Sequence, residues 1–207
     1  MSDYILLGNE VDGYFQAHPG ELDSFVTLLK KSIEQLHQDL PGVQVGTITT
    51  FEAVKNPKLF NTLTQYSDYI NYTYYPLGSN WSMRPVSDTA GDVAKMASAA
   101  GSKSFGFTEL GYSSAPGAKS SEAQQADFLK TVFQNLDKYK SQVAYVQWAG
   151  LSDTPLDVCQ TYARAQGLPS SDTFCDYGSY TGLRTYENKP KPSWDVWVQV
   201  VKEHSGQ

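Results

Sequence analysis

Tyr4-Ile5-Leu6-Leu7-Gly8-Asn9-Glu10 is a short apolar run that ends on a carboxylate, and Phe105-Gly106-Phe107-Thr108-Glu109-Leu110-Gly111 repeats the design. Runs of this length, apolar or β-branched and bounded by Gly, Asp or Pro, read as strands buried on both faces. Five such strands are expected, at Tyr4–Leu7, Val43–Thr50, Tyr69–Tyr74, Ser104–Thr108 and Val143–Trp148. Amphipathic helices are expected between and after them, at Glu21–Leu40, Asn56–Gln65, Asp88–Ala100, Ser121–Tyr139 and Pro192–Lys202. In the first of these, Leu22, Phe25, Val26, Leu29, Ile33 and Leu36 fall on one stripe, and Pro41-Gly42 stops the helix. In the fourth, Phe128, Leu129, Val132, Phe133 and Leu136 form the inward face behind candidate N-caps at Ser120-Ser121.

Strict alternation of strand and helix predicts a parallel sheet with right-handed crossovers. An open doubly wound sheet would carry a glycine-rich phosphate loop after its first strand, and Gly8-Asn9-Glu10-Val11-Asp12 has no such pattern. The polar residues recur instead at the ends of several strands, which favours a β/α barrel. A full barrel has eight units in about 250 residues, whereas these 207 residues supply five. The reading is therefore one α/β domain over residues 1–207, a partial barrel of five parallel βα units.

Composition narrows the partners. A net charge of −6 without a basic run argues against nucleic acid. No apolar stretch approaches the roughly 20 residues that span a membrane. The sequence begins directly on a strand, so no signal peptide is expected within it, and localisation stays open because a processed chain would look the same. Cys159 and Cys175 are the only cysteines. Without Cys-x-x-Cys or clustered His they do not suggest a metal site, and no cofactor is implied. They read either as a disulfide closing a Gly/Ser/Pro-containing loop or as two thiols, and a bond would favour an exported protein.

The strings at the strand ends resemble the second half of a clan A glycoside hydrolase, one of the retaining β-glycosidases and β-glycanases built on the eight-fold barrel. In that clan the fourth strand ends in Asn-Glu, the general acid/base, and Asn9-Glu10 matches. The seventh ends in the nucleophilic Glu, matched by Glu109. The sixth carries a Tyr near a Pro that hydrogen-bonds the nucleophile. Tyr74-Tyr75-Pro76 matches, with Tyr74 the expected partner. The eighth ends in a Trp that floors the sugar subsite, matched by Trp148 in Gln147-Trp148-Ala149. Gly182-Leu183-Arg184 followed by Lys191-Pro192-Ser193-Trp194 is similar to the clan's run into its last helix. The resemblance covers nearly the whole chain but only strands four to eight of the family fold.

The resemblance implies hydrolysis of a β-linked oligo- or polysaccharide by double displacement. That chemistry needs one carboxyl protonated and one ionised, about 5–5.5 Å apart. Asn9 would bind the sugar hydroxyl beside the reacting carbon, and Trp81, in a Gly/Ser/Pro-containing loop, is the candidate outer platform. Taken singly, each position has a plainer reading: a strand-end Glu as a helix-terminal charge, Asp12 and Asp153 as helix caps, Trp148 as core. Arg84 and Arg184 are the free-standing cationic candidates for the cleft. With strands one to three absent, a non-catalytic or vestigial carbohydrate-binding half-barrel stays open as the alternative. Five strands cannot close a barrel, so a homodimer joined through the open edges is expected.

Overall fold

The computed structural model describes residues 4–168 and 172–204. Among these the elements are β1 (Tyr4–Leu6), α1 (Val11–Ala17), α2 (Leu22–Asp39), β2 (Gln44–Gly46), β3 (Ile48–Thr50), α3 (Pro57–Thr64), β4 (Ile70–Tyr74), α4 (Thr89–Ala100), β5 (Phe105–Leu110), α5 (Glu122–Leu136), β6 (Val143–Trp148), α6 (Leu156–Ala165), α7 (Asp172–Ser179) and α8 (Pro192–His204). β1 pairs with β2 in parallel, and a four-stranded sheet runs β3-β4-β5-β6 with a parallel β3–β4 ladder.

Three features depart from expectation. The strand expected over Val43–Thr50 is two strands, β2 bonded to β1 and β3 bonded to β4. The break falls where Gly46, lacking a Cβ, lets the Tyr69 ring and carbonyl come as near as 2.8 Å to the place a Cβ would occupy. Thr47 after it donates to the Leu7 carbonyl at 2.7 Å. Next, α1 forms where only a turn was read. Its Val11 and Phe15 pack with Leu59 and Leu63, a pattern too short to register as a helical period. Finally, the cysteines lie on two helices, α6 and α7, where none was read, and residues 169–171 of the Gly/Ser/Pro loop between them lie outside the described residues. The buried positions of these helices, Cys159, Ala163 and Cys175, are small and give no apolar stripe.

The described chain gathers into two compact units, each interleaved along the sequence. The first comprises Met1–Tyr74, Ala94–Glu109 and Tyr139–Gln147. One of its cores joins Leu29, Ile33, Val43 and Val45 with Ile5, Leu7, Phe25 and Leu36, as the stripe on α2 predicts. β4 is buried along its whole length, and its side chains alternate. Tyr72 faces the helices, with its hydroxyl on the Met96 carbonyl at 2.9 Å and its ring near Phe60, Phe105 and Phe107. Asn71 faces the other way. It donates to Thr108 at 2.8 Å and accepts from the Tyr145 hydroxyl at 2.6 Å. Gly106 makes room for the Tyr145 ring, which comes within 2.9 Å of its missing Cβ.

The second unit comprises Tyr75–Val93, Leu110–Lys138 and Trp148–Gln207. α5 buries Phe128, Leu129, Val132, Phe133 and Leu136, as its sequence stripe predicts, and packs against α8. Ser121 caps α5 by accepting from the Gln124 N–H. A disulfide joins Cys159 on α6 to Cys175 on α7, with Cα atoms 5.8 Å apart. Within this unit the Lys191 ammonium, 2.6 Å from Asp153 and 2.9 Å from Ser114, is buried with its partner. Asp153 also accepts from the Gly182 N–H at 3.0 Å.

Candidate active site

In the first unit Glu10 follows the carboxyl end of β1, Glu109 lies near that of β5, and β4 between them ends in Thr73-Tyr74. After β1 the chain turns through two left-handed residues, Gly8 at φ +79° and Glu10 at φ +48°. A side chain at position 8 would meet Val11 at 2.6 Å, so glycine is needed there for space as well as conformation. The left-handed backbone costs Glu10 about 1 kcal/mol or more. At the N-terminus of α1 its side chain makes no capping hydrogen bond. The half-buried Glu10 carboxyl is instead hydrogen-bonded by the Thr73 hydroxyl from β4.

Burial pushes the Glu10 carboxyl above the ordinary carboxylate value. The Thr73 hydrogen bond pulls the other way, and the negative charges of Glu109 and Asp12 add to the rise. A glutamate so placed is suited to hold a proton. Asp12 is buried on α1 and accepts from the Thr50 N–H at 2.9 Å and the Thr50 hydroxyl at 2.7 Å. It was expected to be a cap or a cleft residue; it is a clamp between α1 and β3.

Glu109 lies near the end of β5 and is partly buried. The Ile70 N–H bonds the Ser104 carbonyl at 2.9 Å, which in a parallel ladder aligns Ile70 with Phe105. Tyr72 touches both Phe105 and Phe107, as that register requires. Tyr74 itself is fully buried, with its ring edge-on to Phe51 at 5.3 Å. Asn9 is exposed in the turn before Glu10.

The remaining candidates belong to the second unit. Tyr75 sits against Gly111, where a Cβ would collide with its ring, and meets Tyr177 edge-on at 5.6 Å. Trp81 and its neighbour Asn80 both have left-handed backbones, at φ +59° and +57°. This is an uncommon conformation for a bulky residue and one that clusters at functional sites. The Trp81 ring stacks on Tyr177 at 5.8 Å and meets Phe174 at 4.9 Å. Trp148 is only 6% exposed. Its indole N–H donates to the Thr181 carbonyl at 2.9 Å, and its rings lie against Phe128 and Trp197. That leaves little of the indole exposed, whereas Trp81 is partly exposed. The two arginines weighed for the cleft are committed locally: Arg84 bonds Asp88 and Asp92, while Arg184 bonds Asn188 and lies over Trp194.

The sequence reading missed Thr73, Thr50 and Tyr177, and named Asp12 without its bond to Thr50. Only Thr73 had a signal, as a lone hydroxyl between two tyrosines on a buried strand. Among the described residues no cluster of His, Cys, Asp and Glu could hold a metal ion, and no helix is long and apolar enough to cross a membrane.

No family model matches the chain, and no curated protein does. Solved structures do. A family 5 glycoside hydrolase from Streptomyces cattleya, solved in complex with Manβ1-4GlcNAc, superposes with a TM-score of 0.61 at 13% identity over 90% of this chain and 44% of its own. The catalytic domain of a family 53 glycoside hydrolase from Ignisphaera aggregans gives 0.60 at 16%, over 96% and 59%. A family 17 β-1,3-glucanosyltransferase from Rhizomucor miehei gives 0.58 at 16%, over 91% and 61%. The chain thus spans roughly half the length of the glycosidases it matches. At such identities the likeness is one of fold alone, part of a parallel β/α barrel.

Proposed function

We propose that this chain is a retaining β-glycoside hydrolase acting on a β-linked oligo- or polysaccharide, with Glu10 as acid/base and Glu109 as nucleophile. The observation that carries the reading is the state of Glu10: half-buried, held by Thr73, under the charge of Glu109 and raised above the ordinary carboxylate value. A general acid must keep its proton at working pH, and burial beside a second carboxylate is how glycosidases arrange that. The names of the matched structures, all of them glycosidases or a glucanosyltransferase, point to the same substrate class.

In this mechanism the Glu109 carboxylate attacks the anomeric carbon as Glu10 gives its proton to the departing glycosidic oxygen. The C–O bond to the aglycone breaks, and a covalent glycosyl ester forms on Glu109. Glu10, now ionised, takes a proton from water, whose oxygen attacks the same carbon and releases Glu109. Tyr74 would donate to Glu109 and Asn9 to the sugar hydroxyl beside the reacting carbon; within the second unit, Trp81 with Tyr177 would offer an aromatic surface for a sugar ring. We also propose a homodimer, since the residues of β6 before Trp148 are only partly buried or exposed along an edge strand. A clean monomer in light scattering would dismiss it.

A panel of chromogenic β-glycosides and dyed β-glycans tests the activity. Glu10→Gln and Glu109→Gln should each lower turnover by at least about 10²-fold. Full activity in either variant removes that assignment. Binding of a β-glycan without turnover by the wild type would favour the non-catalytic reading, which the span of roughly half a barrel keeps in play.

A further inference from the structure

The β3–β4 ladder sets Thr50 directly opposite Thr73. Each threonine sits at the carboxyl end of its strand, and each hydroxyl holds an acid: Thr50 holds Asp12, and Thr73 holds Glu10. The two carboxylates are therefore tied to neighbouring strands, whose backbones lie about 5 Å apart where Thr50 faces Thr73. We propose that Asp12 is a positioning residue for Glu10, holding the turn that presents it and supplying a fixed negative charge beside it.

Two observations support this beyond proximity. Asp12 accepts two hydrogen bonds from one residue, the Thr50 N–H and hydroxyl, so its carboxylate is locked in place and faces no cation in the bonds it makes. It also lies only two residues after Glu10. The clamp that ties α1 to β3 thus anchors the left-handed Glu10 turn from its far side. The charged groups acting on Glu10 are Glu109 from β5 and Asp12 from α1, while β4 meets it with the neutral Thr73 hydroxyl. Glu109 is spent in the first chemical step as it becomes an ester, and its charge is lost. Asp12 is not consumed, so it supplies a negative neighbour to Glu10 in both halves of the cycle. The inference rests on the glycosidase reading for its catalytic meaning, but not for its physical content.

Asp12→Asn separates charge from clamp, because the amide still accepts from the Thr50 N–H and can donate to the Thr50 hydroxyl. The Glu10 titration, followed without substrate by carboxyl carbon NMR, should shift to lower pH in this variant with little change in melting temperature. The alkaline limb of kcat should move down with it while KM stays the same. An unmoved Glu10 midpoint overturns the proposal. If the variant does not fold, Thr50→Val decides: it removes the hydroxyl that fixes the Asp12 carboxylate, and an unmoved Glu10 midpoint there also overturns the proposal. A lowered midpoint in a protein that hydrolyses no glycoside would sink the glycosidase reading and leave the Asp12–Glu10 pairing standing.

Discussion

Lys191 and Asp153 form a salt bridge in which both side chains are almost wholly buried, at 2% and 4% exposure. Lys191→Met would leave Asp153 with the Gly182 N–H in place of its cation. Stranding one partner of a buried pair costs about 3–5 kcal/mol. For a chain of this size each kcal/mol is worth roughly 2–4 °C, so the melting temperature should fall by about 6–20 °C. The double variant Lys191→Met with Asp153→Asn removes both charges, while the asparagine oxygen still accepts from Gly182. Replacing a buried pair as a unit is often close to neutral, so the double should lie nearer the wild type than Lys191→Met alone. Urea denaturation of the single and double variants measures both costs and their coupling. A double variant that loses the sum of the two single losses would refute the reasoning, as would a Lys191→Met variant that loses less than about 1 kcal/mol. Because Asp153 also holds Gly182, next to the Thr181 carbonyl that receives the Trp148 indole, the Lys191→Met variant should shift tryptophan emission as well.

Two further outcomes follow from the structure. The folded-state value of Glu10 is raised, so its favourable contribution to stability is full below the unfolded value and is lost as pH rises through the folded one. Urea midpoints across pH should show this decline in the wild type and not in Glu10→Gln. The same proton sets the alkaline limb of activity, which should lie above the ordinary carboxylate range. The Cys159–Cys175 bond closes a segment with a sequence separation of 16; its loss should cost about 3 kcal/mol by loop entropy. Thermal melts of the double Cys→Ser variant should therefore fall by about 6–12 °C, with the wild type under reductant falling equally.

The parts of the fold with a strong period were legible in the sequence. The stripes on α2 and α5 and the apolar strands β4 to β6 carry enough residues for burial alone to determine their type. The strand that split at Gly46-Thr47 and the helices α1, α6 and α7 were not legible. The split depends on the close approach of Tyr69 to Gly46, α1 is too short for Val11 and Phe15 to show a period, and α6 and α7 bury a cysteine pair and an alanine, small side chains and a covalent link instead of an apolar stripe. In the candidate site Glu10 and Glu109 could be read from their positions after strands. Thr73, Asp12 and Thr50 could not, because they act through cross-strand register, which depends on pairings far apart in sequence. Trp148 illustrates the converse: its place at a strand end suggested an open platform, while the neighbouring Phe128 and Trp197 enclose it.

The central claim is that Glu109 becomes covalently glycosylated. Dinitrophenyl 2-deoxy-2-fluoro-β-glycosides of several sugar configurations allow the first displacement and slow the second, so the ester accumulates. Intact-mass measurement after incubation should show one added fluorosugar, and fragmentation should place it on Glu109 in the Thr108-Glu109-Leu110 peptide. Turnover of the matching β-glycoside without any adduct, or an adduct on another residue, would contradict the account.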